Sequence, residues 1–448
     1  MIVMKFGGTS VQDAHAMSHV KSIASQYDNE KILIVSSACS GMTSDLLKLA
    51  TDSVHMSDEE RNSRIDAMRD RHCGIARELG VEDAVRDTLI ALCDSLRSIC
   101  EGIALLGECT PRSSDSIASF GELLSTVILD GLLQTGHSSL WFDARRVIST
   151  DSTFQQAQVD QAETESKAMK VLLPLFDDHR IVITQGFIGA DTHGTTTTLG
   201  RGGSDFSAAI FGSALDVREI IIWTDVSGIA SADPRIIPDA RYIHEMSFDE
   251  ARMLSFFGAK VLHPDTLIPA LSKHIPVHVR NTFKSSDRGT TITHKGDEKA
   301  IGFRSVIGKR TVTCIHLHGL PGTNYHESKR EILDHISHLT RLDPLIQSRV
   351  GDSETVVYDA SVKYFSGFLE QDYPTLTITM KEYALLSAIG PNLQTEHSKQ
   401  SVKTFYEILI KHDPDPVFFT GIQPNTLSAL VQQEHADIII AELHKHCT

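Results

Sequence analysis

Met1-Ile-Val-Met-Lys5-Phe-Gly7-Gly8-Thr-Ser10 opens the chain, and its reading decides the fold. Ile2 to Met4 is an apolar run that reads as a strand, Lys5 falls where that strand ends, and Gly7-Gly8 turn the backbone. Ser10 is a good N-cap for the amphipathic stretch Val11 to Tyr27. A strand, a glycine turn and a helix start form an anion site, because glycine lets backbone N–H groups approach a phosphate and the helix dipole favours negative charge there. Lys5 adds a point charge at the same place. An ordinary strand–helix turn with a solvated lysine fits these ten residues equally well, and the later segments separate the two readings.

The construction recurs. Lys31-Ile-Leu-Ile-Val-Ser-Ser-Ala38 reads as a buried strand, followed by the small-residue loop Cys39 to Asp45 and a helix from Leu46. Residues 57 to 107 have helical periodicity and heavy charge, which reads as an antiparallel helical excursion with solvated faces. Ser119-Phe-Gly-Glu122 precedes the apolar run Leu123 to Leu133. This is a capping box or, alternatively, a carboxylate waiting for a ligand ammonium group. Strands follow at Ser139 to Asp143, Ile181 to Gln185, Glu219 to Asp225 and Pro276 to Asn281. Between them Gly200-Arg201-Gly-Gly-Ser204-Asp205 leads into a helix from Phe206. A guanidinium among glycines at a helix start is costly to hold without an anion, so a ligand is the favoured reading. The alternation predicts an α/β fold built on an open, mostly parallel sheet sandwiched by helices. Ligands bind such sheets beyond the carboxyl ends of the strands. Residues 5, 41–43, 186–189, 201–205 and 224–225 all follow strand ends, which argues for one site.

Composition bounds the function. At 448 residues the chain has room for two or three domains. Its net charge of −16 argues against nucleic acid as the main partner and means that anionic substrates need local cationic pockets. No run of residues reads as approaching the roughly 20 apolar positions needed to span a bilayer, and no signal peptide is legible. The seven cysteines are odd in number, scattered and without Cys-x-x-Cys, a reduced, cytoplasmic pattern. His15 and His19, and the tail group His444, His446 and Cys447, read as surface residues rather than metal ligands.

A polar, charged stretch from Asp287 to Lys299 marks a domain boundary. Beyond it the sequence reads as two α+β groups. The first has strand Thr311–His316, helix Ser328–Thr340 and strands Thr355–Tyr358 and Thr375–Met380. The second has strand Tyr383–Ile389, helix Ser401–His412, strand Pro416–Thr420, helix Asn425–Gln432 and strand Ala436–Ile440.

A P-loop is absent, since Gly302 to Arg310 has one residue too many and arginine where Ser/Thr should stand. The dinucleotide fingerprint also fails, with Asp205 at the third glycine position. By contrast, Lys5-Phe-Gly-Gly-Thr-Ser, Phe120-Gly-Glu122, Gly200-Arg-Gly-Gly-Ser-Asp205, Thr224-Asp225-Val-Ser-Gly228, Asp233-Pro-Arg235 and Lys260-Val-Leu-His-Pro264 together resemble aspartate kinase. The resemblance implies an amino-acid-kinase fold over residues 1–295, then a regulatory region at 296–448 with two ACT-like modules, about 300–375 and 376–448. It is looser in that last third, where Gly319-Leu-Pro-Gly-Thr stands in place of the expected effector loop. Ala230 also departs from the tyrosine common near the nucleotide.

Position by position, the resemblance implies that Lys5, Gly7 and Gly8 hold the transferring phosphoryl group, with Phe6 also in the ATP site. Thr43, Glu122, Arg201 and Ser204 would bind the amino acid, with Glu122 on its ammonium and Arg201 on its α-carboxylate. Lys5, Arg201 and Asp205 would be catalytic, and Thr224, Asp225, Ala230, Arg235, Lys260 and Val261 would line the nucleotide site. The implied activity is ATP- and Mg²⁺-dependent phosphorylation of L-aspartate to 4-phospho-L-aspartate, the first step of the aspartate-family amino-acid pathway. The resemblance also implies feedback by an amino acid such as lysine or threonine, a homodimer at least, a monofunctional enzyme and a cytoplasmic location. A sister kinase of the same fold, or a silent ACT amino-acid sensor, are the other readings. An aspartate side chain of pKa about 3.9 needs no general base at neutral pH. The difficulty is to bring that anion up to a polyanion, which lysines, glycine N–H groups and Mg²⁺ would ease.

Overall fold

The computed structural model describes residues 1–258, 264–320, 325–340, 342–365, 373–391, 393, 395–419 and 424–448. They fall into two units. The first holds the described residues of Met1–Ile229, Tyr242–Arg252 and Lys260–Asp297, and the second those of Ala230–Arg241, Met253–Ala259 and Glu298–Thr448.

The first unit is an eight-stranded sheet with helices. Its strands include β1 (Ile2–Phe6), β2 (Ile32–Ser36), β3 (Ser139–Phe142), β4 (Ile181–Gln185) and, beyond a small hairpin of β5 (Ile188–Ala190) and β6 (Thr196–Thr198), β7 (Ile220–Thr224). The sheet order is Glu245–Ser247, Thr290–Thr293, Val277–Asn281, β7, β1, β2, β4, β3. Every pairing is parallel except Val277–Asn281 with Thr290–Thr293. The opening strand is therefore central, with all five residues buried. Burial on both faces explains why β1, β2 and β4 read as continuous apolar runs rather than alternating ones. The register sets Phe6 opposite Ser36 and Trp223, and Ser36 opposite Gln185, so the strand ends lie side by side.

Helix α1 (Ala14–Ser25) starts later than the sequence suggested. A 3-10 turn, Gly8–Val11, comes first, and the cap is Asp13, whose Oδ1 accepts the Ala16 N–H at 2.8 Å. Ser10 is not the cap. Its hydroxyl is turned inward, 2.7 Å from Thr282 Oγ1. After α2 (Met42–Asp52), the charged excursion is the helical pair α3 (Asp58–Glu78) and α4 (Glu82–Leu106), joined at Gly80 with φ +72°. Its faces are not all solvated, because Arg61 and His72 are buried, and burial holds the His72 imidazole down to about 4.

Helices α5 (Pro111–Ala118) and α6 (Phe120–Gln134) then follow end to end. Contrary to the sequence expectation, Pro111–Gln134 is long and apolar enough to cross a membrane, but 94% of its apolar window is buried within the protein, which makes it a core element. The expected capping box does not form. The Ser119 N–H is already bonded to the Asp115 carbonyl and its Oγ donates to the Ser116 carbonyl at 2.7 Å. The helical chain runs through this point, so there is no open helix start for Glu122 to cap.

In the second unit the strands form one antiparallel sheet in the order Ile346–Val350, Ser353–Tyr358, Ser305–Gly319, Leu376–Ile389, Thr426–Val431, Val417–Phe419. What the sequence suggested as separate strands at 375–380 and 383–389 is one continuous strand, and Ile346–Val350 was not anticipated. Two assignments near the end are reversed. Thr426–Val431 is a strand with all six residues buried, whereas Ala436–His444 is a helix that buries Ala436, Ile439, Ile440, Leu443 and His444. That spacing of three and four is helical, and burial of all six residues of Thr-Leu-Ser-Ala-Leu-Val suits a strand covered on both faces. His444 and Cys447 are accordingly buried rather than on the surface, with His444 Nε2 2.8 Å from Ser231 Oγ. Pro321 to Thr323 of the proposed effector loop lie outside the described residues.

Candidate active site

At the carboxyl ends of β1, β2 and β7 the first unit encloses a cavity of about 890 Å³. That is within the roughly 300–1,000 Å³ range of small-molecule sites. Lys5, Gly7, Gly8, Thr43, Glu122, Arg201, Ser204, Asp205 and Thr224 all line it. The register of the parallel strands places the first three beside the Cys39–Gly41 loop. A Cβ on Gly8 would stand 3.0 Å from the Ala38 carbonyl oxygen, so only glycine passes there without displacement. Gly41 turns at φ +84° into α2, which carries Thr43.

The cavity's cations are held differently. Lys5 is largely buried, and its Nζ lies 2.7 Å from Asp205 Oδ1. Asp205 stands in the first turn of α7 (Gly203–Ala214). The start of that helix is pressed against the end of β4. A Cβ on Gly186 would meet Ser204 Cβ at 2.6 Å and its Cα at 2.8 Å. Arg201 is exposed between Gly200 at φ +76° and Gly202 at φ +72°, and it makes no hydrogen bond or ion pair among the described residues.

Glu122 is only 3% exposed. Burial pushes its carboxyl up to about 8, against the opposing pull of the Ala38 N–H and of Lys5. Oε2 has no hydrogen-bond partner. A buried polar atom left unpaired at the wall of a cavity marks a place for a ligand donor. A carboxyl raised to about 8 favours its neutral form near pH 7, and a substrate ammonium would favour its ionised form.

The proposed nucleotide residues are more dispersed. The Phe6 ring is fully buried and stacked on Trp223, with centroids 6.1 Å apart, so only its backbone is available to a ligand. Thr224 lines the cavity and its hydroxyl donates to Asp225 Oδ1 at 3.2 Å; Asp225 is exposed and not among the lining residues. Ala230 and Arg235 belong to the second unit, where Arg235 is exposed and pairs with Asp233 at 2.6 Å. Lys260 and Val261 lie outside the described residues.

The cavity also contains residues that no motif announced, namely Asp115, Gln155 and Thr198. Among the described residues, Gln155 and Phe187 are two of the four non-glycine residues with positive φ, at 73° and 69°, and both line the cavity. Such strain gathers at functional sites, but a sequence that shows no glycine there gives no sign of it.

Comparison with known proteins agrees with this geometry. The family profile described as the amino acid kinase family matches residues 1–281. Lysine-sensitive aspartokinase 3 of Escherichia coli is 38% identical over 321 residues, covering 71% of this chain and 70% of that protein. The crystal structure of E. coli aspartokinase III with aspartate and ADP (R-state) superposes with a TM-score of 0.83 at 32% identity, covering 99% of both chains. The structure of the same enzyme with lysine and aspartate (T-state) gives 0.83 at 30% identity, over 100% of this chain and 99% of that one. With the family profile spanning residues 1–281 and the fold superposing along 99% of the chain, the protein belongs to the amino acid kinase family and, within it, to the aspartokinases.

Proposed function

We propose that the cavity is where the γ-phosphoryl group of MgATP passes to the side-chain carboxylate of L-aspartate, giving 4-phospho-L-aspartate and ADP. The observation that carries this reading is the pairing of an unpartnered buried carboxyl, Glu122, with an unpaired guanidinium, Arg201, in one cavity with Lys5. A free α-amino acid presents both an ammonium and a carboxylate to such a pair. An acylated amino acid has no ammonium for Glu122, which disfavours the sister-kinase reading.

In the reaction a β-carboxylate oxygen attacks the γ-phosphorus in line, the bond from phosphorus to the β,γ-bridging oxygen breaks, and the electron pair leaves with ADP. The carboxylate is already ionised, so no proton need be removed. In this reading Lys5 faces the γ-phosphate, with the Gly8 backbone N–H alongside, while the Gly7 N–H is bonded to the Trp223 carbonyl at 3.2 Å and shapes the turn. Asp205, 2.7 Å from Lys5, keeps that ammonium aimed into the cavity before nucleotide arrives. Mg²⁺ enters as part of the nucleotide substrate and neutralises phosphate charge. Thr224 and Asp225, with Ala230, Arg235, Lys260 and Val261, complete the nucleotide-facing assignment.

The second unit corresponds, in this reading, to two ACT-like modules that share one sheet, binding an amino-acid effector such as lysine or threonine and completing a homodimer. The E. coli relative is named lysine-sensitive and was solved with lysine bound. The test is ADP release by the purified protein. It should require L-aspartate and Mg²⁺ together, fall when the effector amino acid is added, and vanish in Lys5→Ala. Turnover with glutamate, acetylglutamate or carbamate but not aspartate contradicts the assignment, and aspartate binding without any turnover favours the silent sensor.

A further inference from the structure

Asp115 stands on α5, away from every glycine turn and strand end, yet its carboxylate is only 2% exposed and lines the cavity. It accepts three hydrogen bonds from chain 40 and 83 residues away. Oδ2 takes the backbone N–H of Gln155 at 2.9 Å and of Thr198 at 2.8 Å, and Oδ1 takes the Thr198 hydroxyl at 2.9 Å. Burial raises its pKa, and these three donors oppose that shift. The bonds add to one direct backbone link between two segments, the Ala157 N–H to the Thr198 carbonyl at 3.0 Å. One is the turn at Gln155, whose backbone is held at φ +73°, and the other is the end of β6, which runs through Leu199 and Gly200 into Arg201. A Cβ on Gly200 would lie 3.2 Å from the Gln155 carbonyl oxygen, so the glycine turn carrying Arg201 rests directly on the turn that Asp115 holds.

We propose that Asp115 is a positioning residue for substrate recognition. Its carboxylate locks the Gln155 turn to the end of β6 and so sets where Gly200 presents the Arg201 guanidinium to the α-carboxylate of the amino acid. The inference rests on the reading of the cavity as an amino-acid site. Asp115 touches neither substrate nor phosphate in this account, and it acts through the wall it holds. Phosphoryl transfer, which depends on Lys5 and Asp205, is left intact when the wall shifts.

The test is steady-state kinetics of the full chain. Asp115→Asn keeps the shape but removes the charge, leaving the two backbone donors a weaker, neutral amide oxygen and setting an NH2 group where the Thr198 hydroxyl had an acceptor. It should raise KM for aspartate about tenfold or more, the factor expected when a hydrogen bond to a charged group is lost. The kcat and the KM for ATP should stay within about twofold. A fall in kcat with an unchanged aspartate KM, the pattern of a merely structural residue, overturns the proposal, and so does no change at all. If Asp115→Asn does not fold, Thr198→Val removes only the hydroxyl bond and should give a smaller rise in aspartate KM that Thr198→Ser restores. Thr198→Val kinetics like wild type, or a rise that Thr198→Ser fails to restore, would sink the idea. Arg201→Ala separates the two levels. If it raises aspartate KM while Asp115→Asn does not, only the positioning role fails. If neither does, the amino-acid site itself is misread.

Discussion

At the scale of single residues, two polar groups of the cavity, the Glu122 carboxyl and the Arg201 guanidinium, are kept without full partners. Glu122 is the clearest, a carboxyl pushed up to about 8 chiefly by burial, with one oxygen unpaired. Aspartate binding at pH 7 should therefore release close to one proton as the ammonium stabilises the ionised form. Calorimetry in buffers of different ionisation enthalpy reads this directly, and a binding enthalpy independent of buffer would contradict it. The same shift has a stability consequence. The folded carboxyl titrates above its unfolded value of about 4.5, so the folded state binds the extra proton. The stability linked to that proton is complete below pH 4.5 and is lost as pH rises through about 8. Glu122→Gln should remove this loss, so its melting temperature should gain on wild type between pH 6 and pH 9 while aspartate affinity collapses. Parallel curves for the two proteins would count against a buried, uncompensated carboxyl.

At the scale of elements, the strand–turn–helix construction was legible because local chemistry dictates it. Lys5, Gly7, Gly8, Arg201 and Asp205 could be placed from glycine turns after apolar runs, and they do meet at one cavity. The misreadings have a common cause. Ser10 and Ser119 look like caps, but the chain around them is committed to a 3-10 turn in one case and a through-running helical segment in the other. The swapped strand and helix at 426–431 and 436–444 turn on which faces are covered, a tertiary fact that a short apolar run does not disclose. Asp115 was invisible because its partners are 40 and 83 residues away. One contact between elements can be tested alone. In Gly186→Ala the new methyl would stand 2.8 Å from the backbone Cα of Ser204, where helix α7 begins. Overpacking of this kind costs about 1–3 kcal/mol. The variant should melt earlier than wild type and bind aspartate more weakly, since Ser204 and Asp205 both ride on that helix start. Unchanged melting and affinity would mean that the close approach of β4 and α7 does not position the site.

At the scale of the whole molecule, a chain of net charge −16 handles two anionic substrates. The long-range field opposes them, so selectivity for the cavity rests on the few cations placed locally within it. The most direct measurement of this account is hydroxylamine trapping of the product. An acyl phosphate on the aspartate side chain is captured as the β-hydroxamate, whereas hydrolysis of ATP without transfer yields none. The account predicts one equivalent of β-aspartyl hydroxamate for each ADP released by the wild-type protein, and neither product from Lys5→Ala. ADP release without hydroxamate, or equal hydroxamate from Lys5→Ala, would contradict it.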